Sequence, residues 1–86
     1  MDEYAIIKYP VTTEKAVRLM QDENKLTFIV DRKSKKTEIK EALEKMFKIK
    51  IIKINTMITP KGKKKAYVRL DKEKLAMDIA TELGFM

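Results

Sequence analysis

The sequence predicts an α+β fold: a small antiparallel four-stranded sheet, built from a short N-terminal strand, a central strand and a basic hairpin, packed with three helices. Three observations predict it. In SKKTEIKEALEKMFK, residues 34–48, Ile39, Ala42, Leu43, Met46 and Phe47 fall at i, i+3, i+4, i+7 and i+8, which is one helical stripe. Residues 25–30 alternate as a strand does, with Leu26, Phe28 and Val30 on one side and Lys25, Thr27 and Ile29 on the other. Two further β-rich runs flank a turn at residues 60–64, where Gly62 suits a positive φ. Helices sharing one antiparallel sheet make a two-layer sandwich.

The elements follow in order. Residues 4–8 are rich in isoleucine and stop at Pro10, whose missing N–H is harmless at a sheet edge, so they predict a short edge strand. Thr12 or Thr13 offers a hydroxyl cap to a helix ending near Asp22, with Glu14 at its positive end and Ala16, Leu19 and Met20 on one face. The long stripe helix has Ser34 as its candidate cap, and its outer face sets Glu41 before Lys45 and Glu44 before Lys48. Residues 51–59 predict a strand with Ile52, Ile54, Thr56 and Ile58 inward and Lys53, Asn55, Met57 and Thr59 outward. Its return strand turns Ala66, Val68 and Leu70 inward and Lys65, Tyr67 and Arg69 outward. A last helix is expected behind an Asp71 cap, with Leu75, Ala76, Ile79, Ala80 and Leu83 as its stripe and Gly84 then Phe85 as a Schellman ending.

Eighty-six residues allow a single domain, residues 1–86, with a core that must be small. The absence of cysteine fits a reducing compartment, the acidic start MDEYAIIKYP is unlike a signal peptide, and no run approaches ~20 apolar residues, which together predict a soluble, unexported protein. Catalysis has little to work with, because there is neither histidine nor cysteine and no glycine-rich loop to cradle phosphates. Neither an enzyme nor a metal or other cofactor is expected.

The net charge of +7 is informative through its placement. Residues 32–65 hold thirteen basic against three acidic side chains, while the rest of the chain has an acidic excess of three. A basic half on a slightly acidic chain is the electrostatic footprint of a polyanion binder, nucleic acid first and an anionic membrane surface second. On the outer hairpin face Lys53, Lys65 and Arg69 offer cations for phosphates, Asn55 an amide for a base or sugar edge, and Tyr67 a ring for stacking. The same lysines would also suit an ordinary solvated face or guard an edge against aggregation. At the tip, Lys61, Lys63, Lys64 and Lys65 crowd around Gly62 and repel one another unless an anion gathers there. A second run, RKSKK at 32–36, sets Lys33, Lys35 and Lys36 around a helix start able to hold a phosphate, or forms a solvated turn. Two other functional classes stay open: a protein-docking module whose charge serves an acidic partner, and a free-standing nucleic-acid regulator.

IKYPVTTEKA (7–16), KSKKTEIKEALEKMF (33–47) and IIKINTMITPKGKKKAYVRL (51–70), in this order and spacing, resemble the ribosomal protein L twenty-three family in its shorter archaeal-type form. The resemblance spans nearly the whole chain. It is most specific at Lys53, Asn55, Thr56, Lys61, Gly62 and Lys63 to Lys65, supported by Lys8, Pro10, Thr13, Glu14 and Lys15. It implies a cytoplasmic, ribosome-bound structural protein that binds large-subunit ribosomal RNA at the rim of the polypeptide exit tunnel, with Lys8 and Lys15 joining the RNA-binding set. It also implies neighbours: ribosomal protein L twenty-nine, signal recognition particle and the protein-conducting channel, with Glu73 or Glu82 near the last helix as docking positions by analogy. The tip is short where bacterial members extend a loop into the tunnel, so contact with the nascent chain is not carried over.

Overall fold

A computed structural model describes residues 3–72 and 75–83. Its elements are α1 (Glu3–Ile6), β1 (Ile7–Pro10), α2 (Glu14–Glu23), β2 (Lys25–Val30), α3 (Lys36–Phe47), β3 (Ile51–Ile58), β4 (Lys64–Leu70) and α4 (Ala76–Leu83). The strands form one sheet in the order β1-β2-β4-β3, with all pairs antiparallel. The α+β class is as the sequence predicts, with three longer helices and the single turn α1 in addition.

The inward side chains of the sheet meet the apolar stripes of the helices. Leu26, Phe28, Val30, Ala66, Val68 and Leu70 join Met20 of α2, Ile39, Ala42 and Leu43 of α3, and Ala76, Ile79 and Ala80 of α4 in one buried cluster. The rings of Phe28 and Phe47 stack at 6.3 Å between centroids and 23° between planes, tying α3 to the central strand. Ile39 and Leu43 lose all contact with water, each worth about 1.5–3 kcal/mol of apolar burial, which outweighs any local helix preference.

Capping departs from expectation at two helices and agrees at one. Thr13 caps α2, its Oγ1 accepting from the Ala16 amide at 3.3 Å, and Asn24 ends the helix in the left-handed region at φ 54°. The cap of α3 is Lys35, not Ser34. Ser34 is buried one residue earlier and closes the preceding turn, its Oγ donating to the Asp31 carbonyl at 2.5 Å, while Glu38 accepts from the Lys35 amide at 3.0 Å. Helix α4 starts at Ala76, five residues beyond Asp71, whose amide donates to the Lys50 carbonyl at 3.1 Å. The first amide of α4, on Ala76, donates instead to Asn24 Oδ1 at 2.6 Å. Leu75 precedes the helix and is 56% exposed, outside the stripe it was assigned to. Gly84, Phe85 and Glu73 lie outside the described residues.

Two strand readings also change. Residues 4–6 belong to α1, and the edge strand starts at Ile7, whose side chain pairs inward beside Val30. In β3, Ile51 stands opposite Leu70 and Lys53 opposite Arg69, two steps against one, so a bulge falls at Ile52. Ile51 thereby takes the core position and Ile52 turns out, 58% exposed. Ile58 keeps its predicted face but sits opposite Lys64 at the hairpin end and is 48% exposed. Glu44 is drawn to this strand too, its Oε2 accepting from the Ile51 amide at 3.2 Å.

Candidate nucleic-acid interface

The cross-strand register fixes what the outer face of the sheet presents. Nearest the hairpin tip, Tyr9, Ile29, Lys65 and Met57 stand side by side across the four strands. The next row is Thr27, Tyr67 and Asn55, and the last is Lys25, Arg69 and Lys53. Lys53 and Arg69 are therefore directly opposed like charges, an arrangement that costs stability unless an anion lies over it. Both Thr27 and Ile29 are buried although they point outward, so the central strand is covered on two faces.

The tip is a short, closed turn. The Thr59 amide donates to the Lys63 carbonyl at 2.8 Å, the Gly62 amide returns to the Thr59 carbonyl at 2.9 Å, and Thr59 Oγ1 accepts from the Lys63 amide at 3.1 Å. Gly62 lies at φ +85°, which only glycine adopts without strain. Successive lysines then diverge. Lys65 points to the outer face, whereas Lys64 alternates inward, is half-buried, and donates through Nζ to the Ser34 carbonyl at 2.6 Å. Lys63 Nζ donates to the Tyr9 hydroxyl at 2.9 Å.

Strand pairing brings the two basic runs of the sequence together. Val30 lies opposite Lys64, so the turn after β2 abuts the hairpin, and Arg32 Nη1 stands 3.6 Å from where a Cβ on Gly62 would be. Lys33 and Lys35 are exposed on that turn. Tyr9, Ile29, Met57 and Tyr67 line an open groove of about 860 Å³ whose borders include Lys15, Lys61, Lys63 and Lys65. Asn55, Arg69 and Lys53 continue the same face. Lys36 stands apart, in a shallow recess with Lys40 and Lys53 along the β3 edge, and Lys8 is exposed in the irregularity of β1.

Sequence reasoning did not single out Tyr9 or Ile29 for this surface, and took Arg32 only as the start of the separate basic run 32–36. Tyr9 carried one signal, an aromatic at an outward position of an edge strand; the place of Ile29, and the meeting of that run with the hairpin, become visible only through pairing between strands far apart in sequence. The cations around the tip bond uncharged oxygens of Tyr9 and Ser34. The ion pairs Glu14–Arg18 and Glu23–Lys25 lie elsewhere, on α2 and at its junction with β2.

Comparisons with known proteins identify the family of the chain. A family model described as "Ribosomal protein L23" matches residues 5–77. The protein named "Large ribosomal subunit protein uL23" from Trypanosoma brucei brucei is 47% identical over 85 residues, covering 99% of this chain and 52% of that protein. The chain thus spans about half the length of the curated relative it matches. It belongs to the ribosomal protein L twenty-three family, a family of structural ribosomal proteins and not of enzymes.

Proposed function

We propose that the chain is a structural constituent of the large ribosomal subunit that binds its ribosomal RNA through the hairpin and the outer sheet face, beside the mouth of the polypeptide exit tunnel. The observation that carries this reading is the row structure of that face. Lys53, Lys65 and Arg69 hold positive charge beside an aromatic ring and an amide, and Lys61 and Lys63 extend the charge onto the tip. Phosphates relieve the repulsion between these groups, Tyr67 packs on a base or ribose, and Asn55 bonds a base or sugar edge. The name of the trypanosome relative supports the same assignment. Lys8, Lys15, Lys33 and Lys35 add positive charge around this face, Gly62 shapes the turn, Lys36 extends the charge along the β3 edge, and Lys64 acts from behind by holding the turn of Ser34.

The test is a salt titration of binding to a large-subunit ribosomal RNA fragment. Changing Lys61, Lys63 and Lys65 together to Gln lowers the affinity and makes the log–log salt slope shallower by roughly 0.7–0.9 per lost contact. An unchanged affinity and slope would remove the hairpin from the interface.

A second surface favours protein contacts. Ile52, Leu75 and Met77 are exposed together beside Asp22 and Glu23, at the end of the sheet away from the tip. This apolar patch, bordered by Arg69 and Lys72 as well as by the two acids, suits a ribosomal neighbour such as protein L twenty-nine or a targeting factor such as signal recognition particle; Glu82 is exposed on the same helix as Met77. Met77→Asp should leave RNA binding intact and weaken factor recruitment to reconstituted subunits; recruitment at the wild-type level would rule this patch out.

A further inference from the structure

We infer that the groove between β1 and the hairpin holds an unpaired RNA base, stacked on Tyr9 or Tyr67, so that the protein reads a splayed single-stranded nucleotide and not only a duplex backbone. The inference rests on the RNA-binding reading and adds the class of RNA it selects.

The floor of the groove combines apolar and cationic groups. Tyr9, Ile29, Lys65 and Met57 stand in one row across it and Tyr67 lies in the next; Ile29 is only 6% exposed, so the apolar surface within reach is that of the two rings and Met57, with Lys65 among them. Further cations lie around it, Lys15 on the α2 side and Lys61 and Lys63 on the hairpin side. A nucleotide splayed from its strand matches both: the base lies on the floor while its flanking phosphates reach the lysines. An A-form duplex keeps its bases stacked and would leave the floor against water.

The rings are arranged for stacking. Lys63 Nζ lies 2.9 Å from the Tyr9 hydroxyl and 5.6 Å from the ring centroid. The second distance is nearly the first plus the ring's own reach to its oxygen, so the ammonium sits beyond the hydroxyl, off the ring edge. The contact therefore fixes the ring without covering its face, and Tyr9 is 45% exposed. Tyr67 is held likewise, its hydroxyl on Met57 Sδ at 3.4 Å, a weak acceptor that costs little to exchange. Two rings already held in place lose little conformational entropy on binding.

The experiment compares three probes on the intact chain: a nine-nucleotide oligouridylate, an abasic ribose-phosphate of equal length, and an RNA duplex of equal length. The chain has no tryptophan and three tyrosines, so the part of the tyrosine emission that is lost with Tyr9 and Tyr67 reports on stacking. The oligouridylate should quench that emission and bind about tenfold more tightly than the abasic probe, with equal salt slopes because the phosphates are the same. Tyr9→Leu and Tyr67→Leu together should erase the difference by weakening the oligouridylate alone. The inference is overturned if the abasic probe or the duplex binds as tightly as the oligouridylate, or if the wild-type protein binds large-subunit RNA without any quenching. Loss of binding to every RNA, ribosomal RNA included, would sink the underlying RNA reading as well.

Discussion

At one end of the sheet a single side chain ties three segments together: Asn24 donates through Nδ2 to the carbonyls of Leu70 and Asp71, at 3.4 and 3.3 Å, and accepts from the Ala76 amide. At the other end Lys63 and Lys64 bond a tyrosine hydroxyl and a backbone carbonyl, and their charge is not cancelled by either partner. The first end uses its polar groups to close the fold; at the second, Lys64 steadies the turn of Ser34 from behind while Lys63 is aimed by Tyr9 and keeps its charge for a ligand. The difference separates residues whose loss chiefly lowers stability from residues whose loss chiefly weakens binding.

The largest expected effect that sharpens this contrast is Asn24→Ala. It leaves the Ala76 amide without its acceptor and forces alanine into the left-handed region, at a combined cost of about 3 kcal/mol, or roughly 15 °C in Tm. RNA affinity measured below the transition should not move; a change there would break the separation of the two ends. Next is Gly62→Ala. A Cβ has room beside Arg32, so the cost is the positive φ alone, about 1 kcal/mol in thermal unfolding, but the reshaped tip should weaken RNA binding several-fold. Smallest is Arg18→Ala. Its pair with Glu14 is exposed, so stability should stay within about 0.5 kcal/mol and the RNA salt slope should be unaltered. A slope change as large as that from one hairpin lysine would show that binding follows net charge and not its location.

Much of the fold could be read from local pattern. The stripe from Ile39 to Phe47 and the alternation of Ala66, Val68 and Leu70 are periodic signals that tertiary packing reinforces, and the Thr13 cap and the positive φ of Gly62 depend on residues within one turn. The Asn24 cap was not legible, because the chemistry that satisfies Ala76 sits 52 residues away. Ile52 misled for a similar reason: strict alternation assumes a regular ladder, and a bulge exists only relative to a partner strand. Ser34 looked like a cap by residue type, yet its hydroxyl found the Asp31 carbonyl first. At the candidate site the outward faces of β3 and β4 were legible, whereas the approach of Arg32 to the tip and the gathering of Tyr9 and Ile29 into the groove required the order in which the strands pair.

The Asn24 junction also makes the last helix dependent on the sheet. The β3–β4 hairpin joins neighbouring segments with only a short loop to order. The first amide of α4, by contrast, has its acceptor on Asn24, 52 residues earlier in the chain, and the carbonyl of that residue is held in turn by the Leu70 amide at the end of β4. The start of the last helix is therefore only as firm as the seat of β4 beside Asn24.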